Sequence, residues 1–222
     1  MFKNLYAYFP NMKGSFIRLA VPFTLLYTVI CFLFSVEPPE DIPTGSENFL
    51  TDAATLFILF TPYVMQTFNT STPHFISGKL IRTAPDSHKR VKNALWELAL
   101  HVLIGAMITA VLFSVITYLL TGTAYLWEII SKTMAIMAAL GASGIVNFVQ
   151  FSDIPLLQKQ LAVMGVMMVS PLIAVGIYTL LGLLDINYGV ISAVIFTAIA
   201  VGAQYLGASL TGSYISKRWF LK

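Results

Sequence analysis

Long apolar runs separated by short polar gaps recur along the chain from residue 19 to residue 214. A helix needs about 20 predominantly apolar residues to cross the hydrocarbon core of a bilayer. Six runs meet this requirement, at residues 19–36, 53–70, 98–119, 133–149, 161–184 and 186–214. We therefore expect an all-α, polytopic membrane protein with six transmembrane helices, built as one domain over residues 1–222.

A short helix is predicted before the first run. Apolar residues between positions 2 and 9 recur at the spacing of one helical face, and Pro10 then interrupts the pattern. The face consists of Phe2, Leu5, Tyr6 and Phe9. The pattern is typical of an amphipathic helix over residues 1–17 lying in the cytoplasmic interface. An aromatic and basic anchor for the first span explains the same residues equally well.

Positive and negative side chains occupy alternate gaps between the apolar runs. The gap after the first run contains five acidic residues, from Glu37 to Asp52, and no Lys or Arg. Cations are concentrated before the first run, between the second and third runs, and after the last run. Short loops rich in Lys and Arg stay in the cytoplasm. Both termini are therefore predicted to be cytoplasmic, in a multi-pass protein of the cytoplasmic membrane.

The overall composition agrees with this topology. Hydrophobic residues make up 57% of the chain and the mean hydropathy is +0.80, whereas a soluble domain has about 45 to 50% apolar residues. The net charge of +3 is distributed by leaflet and forms no single basic face, so nucleic acid is not an expected partner. Cys31 is the single cysteine, which excludes an intramolecular disulfide and a cysteine-based metal site.

Enzyme motifs are scarce in this sequence. It contains no phosphate-binding loop, no His-Glu-x-x-His metal pair and no dinucleotide-binding glycine motif, so we expect no cofactor and no metal. Residues 141–144, Gly-Ala-Ser-Gly, resemble the nucleophile motif of rhomboid intramembrane proteases. That family takes its catalytic base from a His in the sixth span, where this chain has none. We therefore interpret Ser143 as a packing residue and expect no catalytic residue.

Polar residues inside the predicted spans are further candidates for function. Lys132 is the one cation that breaks the charge sorting, and Glu128 precedes it by one helical turn. This spacing favours an ion pair at the membrane interface, with the Lys stem extending outward, over a role in a substrate pathway. Gln66 and Asn69 lie on one side of the second span. Because amide groups need polar partners in a membrane, these two residues are predicted to line a pathway.

Local residue types predict two further helix features. Thr83 or Ser87 is expected to cap a helix that continues into the third span, with Asp86 at its positive end. The last span carries small residues at four-residue spacing, which lets helix backbones approach closely. The spacing leaves open whether this face packs within the subunit or across a dimer. These small residues are Ala198, Gly202, Ala203, Gly207, Ala208, Thr211 and Gly212.

The cytoplasmic gap at residues 73–92 carries a pattern similar to that of a known family. A Gly-Lys-Leu sequence at residues 78–80 is followed by Thr-Ala-Pro-Asp-Ser at residues 83–87 and then by a basic run. This order resembles the permease subunits of type-2 ATP-binding-cassette exporters. Their six spans, interfacial N-terminal helix and cytoplasmic termini are similar too. The family often has an acidic residue before the glycine, where this chain has Ser77.

This resemblance implies a half-transporter whose loop docks as a coupling helix on a separate cytosolic ATPase subunit, which binds the ATP. It also implies a second permease copy or a paralogue as partner, a bacterial cytoplasmic membrane, and export of an amphiphilic peptide or drug. The residues that would contact the ATPase are Phe75, Ile76, Gly78, Lys79, Leu80, Arg82 and Pro85.

Two other classes stay open. A substrate-binding membrane subunit of a vitamin or metal uptake transporter also has about six spans, and it would need an externally sealed site of converging polar residues. A rhomboid-like protease would need a base for Ser143. The exporter class instead predicts that function is concentrated in the loop at residues 73–92.

Overall fold

The computed structural model describes residues 15–36, 50–55, 57–58, 86–122, 124–143, 157–158, 161, 165 and 189–218. These residues are almost entirely helical and include no strand. The bounded helices are α1 (Ser15–Val36), α2 (Ser87–Thr121), α3 (Leu126–Ser143) and α4 (Val190–Arg218). Residues 50–55 and 57–58 are also helical, and we refer to them as the 50–58 segment. The predicted all-α class is therefore confirmed for the described part of the chain.

Two helices among the described residues are long and apolar enough to cross a membrane, judged by length and composition. They cover Lys89–Thr121, with 33 residues, and Val190–Ser213, with 24 residues. α1 contains a shorter apolar stretch, Val21–Leu33. The predicted spans at residues 19–36 and 98–119, and residues 189–214 of the last predicted span, coincide with these stretches. Most of the spans predicted at 53–70 and 161–184, and residues 1–14 of the N-terminal helix, lie outside the described residues.

α2 is one continuous helix of 35 residues, about 52 Å long at 1.5 Å per residue. It begins after Asp86, whose φ of 58° places it in the left-handed region and whose side chain makes no capping hydrogen bond. The Asp86 carbonyl accepts the backbone N–H groups of Lys89 and Arg90, each at 3.1 Å. The continuous helix was predicted from the sequence, but a cap by Ser87 was wrong because Ser87 is already helical.

The small residues of α4 divide between two faces of that helix. A Cβ atom added at Gly212 would lie 3.0 Å from Cγ of Lys92, so the absence of a side chain lets α2 pass closely here. Trp96 of α2 packs edge-on against Tyr205 of α4, with ring centroids 5.0 Å apart. The two helices therefore run antiparallel. Ala203, Ala208 and Thr211 are buried within the chain, whereas Ala198 and Gly202 are exposed.

α3 and α4 run in the same direction. The hydroxyls of Ser131 and Ser192 lie 3.2 Å apart, and further along both helices Nε2 of Gln204 donates to the carbonyl of Met137 at 3.0 Å. Residues 129–138 of α3 are all buried. A helix that is buried on every side belongs in the centre of a helical assembly. α3 is therefore the central helix among the described elements.

Large apolar side chains lie on the outside of this assembly, and many polar side chains lie inside it. Leu33, Leu119 and Ile191 are among the large apolar side chains exposed on α1, α2 and α4. Buried hydroxyls mostly donate to the carbonyl four residues earlier, as Thr109 and Ser114 do. Such bonding satisfies a hydroxyl within its own helix and requires no water.

Candidate functional site

The site residues predicted from the sequence lie outside the described residues. This holds for the candidate pathway residues Gln66 and Asn69 and for the predicted coupling residues, so their contacts stay predictions. α2 begins immediately after that loop, and Lys89, Arg90 and Lys92 are exposed in its first turns. The coupling residues concerned are Phe75, Ile76, Gly78, Lys79, Leu80, Arg82 and Pro85.

A charged cluster stands at the opposite end of the assembly, where α2 ends and α3 begins. It consists of Lys132 and Glu128 of α3 together with Thr51 and Asp52 of the 50–58 segment, and we refer to it as the Lys132 cluster. Nζ of Lys132 donates to Thr51 Oγ1 at 2.7 Å and to Asp52 Oδ1 at 2.6 Å. It also forms an ion pair with Glu128 Oε1 at 2.9 Å.

The oxygen acceptors around the Lys132 ammonium equal its N–H donors in number. An ammonium group has three N–H bonds, and three oxygen atoms lie around Nζ of Lys132. The Thr51 hydroxyl accepts from the ammonium and in turn donates to Glu128 Oε1 at 2.9 Å. Hydrogen bonds in which donor or acceptor is charged are roughly twice as strong as neutral ones. The cluster therefore connects the 50–58 segment to α3 through charge as well as packing.

Side-chain exposure in the Lys132 cluster increases from Lys132 through Glu128 to Asp52. The Lys132 side chain is 8% exposed, that of Glu128 21% and that of Asp52 61%. Two carboxylates and one ammonium leave a formal charge of −1 on the cluster. The cation is thus enclosed by protein, while the carboxylate of Asp52 forms the rim that solvent can reach.

This arrangement corrects the interpretation of Lys132 made from the sequence. The predicted pair with Glu128 is present, but the side chain does not extend outward, because it points into the protein toward Thr51 and Asp52. In the sequence, Asp52 is one of five acids in the external gap and shows no link to Lys132. The sequence contains one signal for this contact. A single cation on the external side needs an anionic partner, and Asp52 directly precedes the apolar run at residues 53–70.

A second contact holds the other side of the 50–58 segment. The Tyr27 hydroxyl lies 2.7 Å from Thr117 Oγ1 and 3.3 Å from the carbonyl oxygen of Leu50, to which it can donate. The Tyr27 ring stacks on Phe113 with centroids 4.3 Å apart. Thr117 Oγ1 donates to the Phe113 carbonyl at 2.9 Å. The segment therefore lies between α1 and α2 on one side and α3 on the other.

This site holds charged groups of opposite sign close together. Within the described ranges, no group of three or more His, Cys, Asp and Glu side chains is arranged to hold a metal ion. In the Lys132 cluster an ammonium group occupies the space between the two carboxylates. Such a site can hold two elements together or release them.

Comparison of the chain with protein-family models, with curated proteins and with solved structures finds no match in any of the three. A proposal for its function therefore rests on the residues and geometry of the chain itself.

Proposed function

We propose that the chain is a six-span permease subunit of an ATP-binding-cassette exporter. In this proposal it moves an amphiphilic peptide or drug out of a bacterial cell. A separate cytosolic subunit binds and hydrolyses the ATP, and a second permease copy or a paralogue completes the pathway. The loop at residues 73–92 transmits the movement of the ATPase to the spans.

The distribution of apolar surface supports a membrane location for the whole assembly. Large apolar side chains are exposed along α1, α2 and α4, including Leu25, Ile108 and Leu210. Soluble monomers rarely expose contiguous apolar patches larger than a few hundred Å². In a bilayer the same surface contacts lipid, and close packing between helices supplies their association.

Helix directions support an even number of crossings between the start of α2 and the end of α4, as the proposed topology requires. α2 and α4 are antiparallel, whereas α3 and α4 run in the same direction. If α3 and α4 both cross the membrane, the chain has to cross it an odd number of times between Ser143 and Val190. One crossing there is the predicted fifth span, at residues 161–184.

The observation that carries the proposal is the continuity of α2. Its exposed basic end follows directly on the predicted coupling residues, and its other end carries Thr117, which contacts Tyr27 beside Leu50. A rigid helix of about 52 Å joins these two ends. A displacement at the cytoplasmic loop would therefore reach the far end of the assembly.

The topology predicts which ends of the helices face outside. Cysteines placed one at a time in a Cys31→Ser background should label with an impermeant maleimide on intact cells at Ala124 and Val190. Cysteines at Lys89 and Ser213 should label only after the cells are permeabilised. All four positions are exposed. Labelling of both ends of α2 or of α4 from the same side would contradict the six-span arrangement.

The function is tested by changing Ile76 and Leu80 together to Asp. If their side chains insert into a cleft of the ATPase, two buried and unpaired carboxylates would disrupt that contact. We expect the ATPase subunit to be lost on co-purification, together with substrate-stimulated hydrolysis in reconstituted vesicles. Both positions lie in a predicted cytoplasmic loop, so membrane insertion should be unchanged.

The matched control adds the same two charges outside the loop at residues 73–92, by changing Asn93 and Ser213 to Asp. Asn93 is exposed in the second turn of α2, and Ser213 is exposed near the end of α4. This variant should keep the ATPase. Equal retention by both double variants would mean that the loop is a solvated connection, and the exporter proposal would fall.

A further inference from the structure

We infer that the Lys132 cluster is a releasable lock, which holds the 50–58 segment against α3 in one conformation and lets it move away in another. The observations that carry this inference are the division of the cluster between two elements and its gradient of burial. That the released segment would open a substrate pathway rests on the proposed permease function. The release itself does not.

The cation keeps a partner after release. Glu128 lies one helical turn before Lys132 on the same helix, 2.9 Å from the ammonium. If the segment departs with Thr51 and Asp52, the Glu128 pair stays with Lys132. An unpaired charge left inside a protein is strongly unfavourable, and this arrangement avoids it. The cluster thus divides into a permanent pair within α3 and a separable contact between elements.

The carboxylate that departs is already hydrated. The Asp52 side chain is already 61% exposed. A carboxylate at such a position exchanges its ammonium partner for water with little change in free energy. Here only the cation is enclosed, so release requires little change in the hydration of the Asp52 carboxylate. The separable side of the contact is therefore the hydrated side.

The lock lies where a movement of α2 can act on it. The 50–58 segment also contacts Tyr27 through the Leu50 carbonyl, and Tyr27 contacts Thr117 near the end of α2. α2 is the helix that begins at the predicted coupling loop. A movement of α2 would therefore act on the segment from the side opposite to Lys132.

The lock predicts opposite effects for two conservative substitutions. Asp52→Asn removes the attraction between the elements and should favour the released state. Glu128→Gln keeps an oxygen that can accept from Thr51, but it removes the anion that would stay with Lys132 after release. The released state would then contain an unpaired ammonium, so this variant should favour the closed state. A merely structural ion network would be loosened by both changes.

The measurement uses a cysteine at Thr55, which is buried one helical turn from Thr51 and donates to its carbonyl at 2.7 Å. The full-length chain carries Thr55→Cys and Cys31→Ser in cell membranes, and the rate of labelling by an impermeant maleimide is recorded. With Asp52→Asn we expect the rate to rise roughly fivefold, the population shift that loss of one partly exposed ion pair produces. With Glu128→Gln the rate should stay level or fall.

Two controls keep the result interpretable if a variant folds poorly. A cysteine at the exposed residue Ala124 should label at the same rate in every background. Exchanging the charges, with Asp52→Lys and Lys132→Asp together, restores an opposite pair between the elements and should return the Thr55→Cys rate to that of the parent. Failure of the exchange to lower the rate below that of Lys132→Asp alone would overturn the lock.

Equal acceleration by Asp52→Asn and Glu128→Gln, or no change in either, would also overturn it. The labelling is carried out without the ATPase subunit, so its outcome is separate from the co-purification test. Loss of the permease proposal with opposite labelling effects would leave the lock in place. Binding of the ATPase with equal labelling effects would leave the permease proposal and remove the lock.

Discussion

Replacing Lys132 by Met is expected to lower the free energy of unfolding by about 3 kcal/mol, at the lower end for removing one member of a buried ion pair. Met has a similar length and volume, so the loss reports the charge and its hydrogen bonds. The substitution leaves Glu128 and Asp52 close together without their cation. Exposure of Asp52 to solvent keeps the effect from being larger. Denaturant unfolding of the purified protein in detergent measures it.

The matched control is the same substitution at an exposed ion pair. Nζ of Lys89 lies 3.5 Å from Oδ1 of Asp86, and the two side chains are 71% and 65% exposed. Lys89→Met should change the free energy of unfolding by only about 0.5 kcal/mol, because surface pairs contribute little. Similar small losses at Lys89 and Lys132 would mean that the Lys132 ammonium is hydrated in solution.

Replacing Tyr27 by Ala is expected to lower the free energy of unfolding by about 3 kcal/mol, again at the lower end for a buried aromatic residue. The side chain is fully buried, stacks on Phe113 and meets Phe57 edge-on at 6.4 Å. Lipid is as apolar as the core, so the loss comes from a cavity and lost packing and not from transfer out of water.

Two further substitutions separate the ring of Tyr27 from its hydroxyl. Tyr27→Phe keeps the stacking and removes the contacts to Thr117 and Leu50, so we expect a loss of about 1 kcal/mol. Tyr118→Ala removes an exposed Tyr of α2 and should change stability by less than about 1 kcal/mol. A loss for Tyr118→Ala equal to that for Tyr27→Ala would contradict the assigned packing. Unfolding in detergent again provides the measurement.

Helix existence was predictable from the sequence where apolar residues follow one another. The runs at residues 19–36, 98–119 and 186–214 match α1, α2 and α4, because apolar length is a local property that each segment carries alone. The apolar run at residues 133–149 gives only part of α3, which begins at Leu126 and includes Glu128 and Lys132. Inside the protein, Thr51 and Asp52 compensate the Lys132 charge.

For α1, α2 and α4, the sequence by itself thus determined that the segment is helical and apolar, and it placed the cations of α2 in its first turns. Only the tertiary structure decided which face of each helix is buried. Small residues of α4 at equal spacing divide between inside and outside, and Lys132 meets an acid 80 residues away in the chain. Periodicity describes one helix at a time, whereas the partner of a buried charge depends on which elements lie beside it in space.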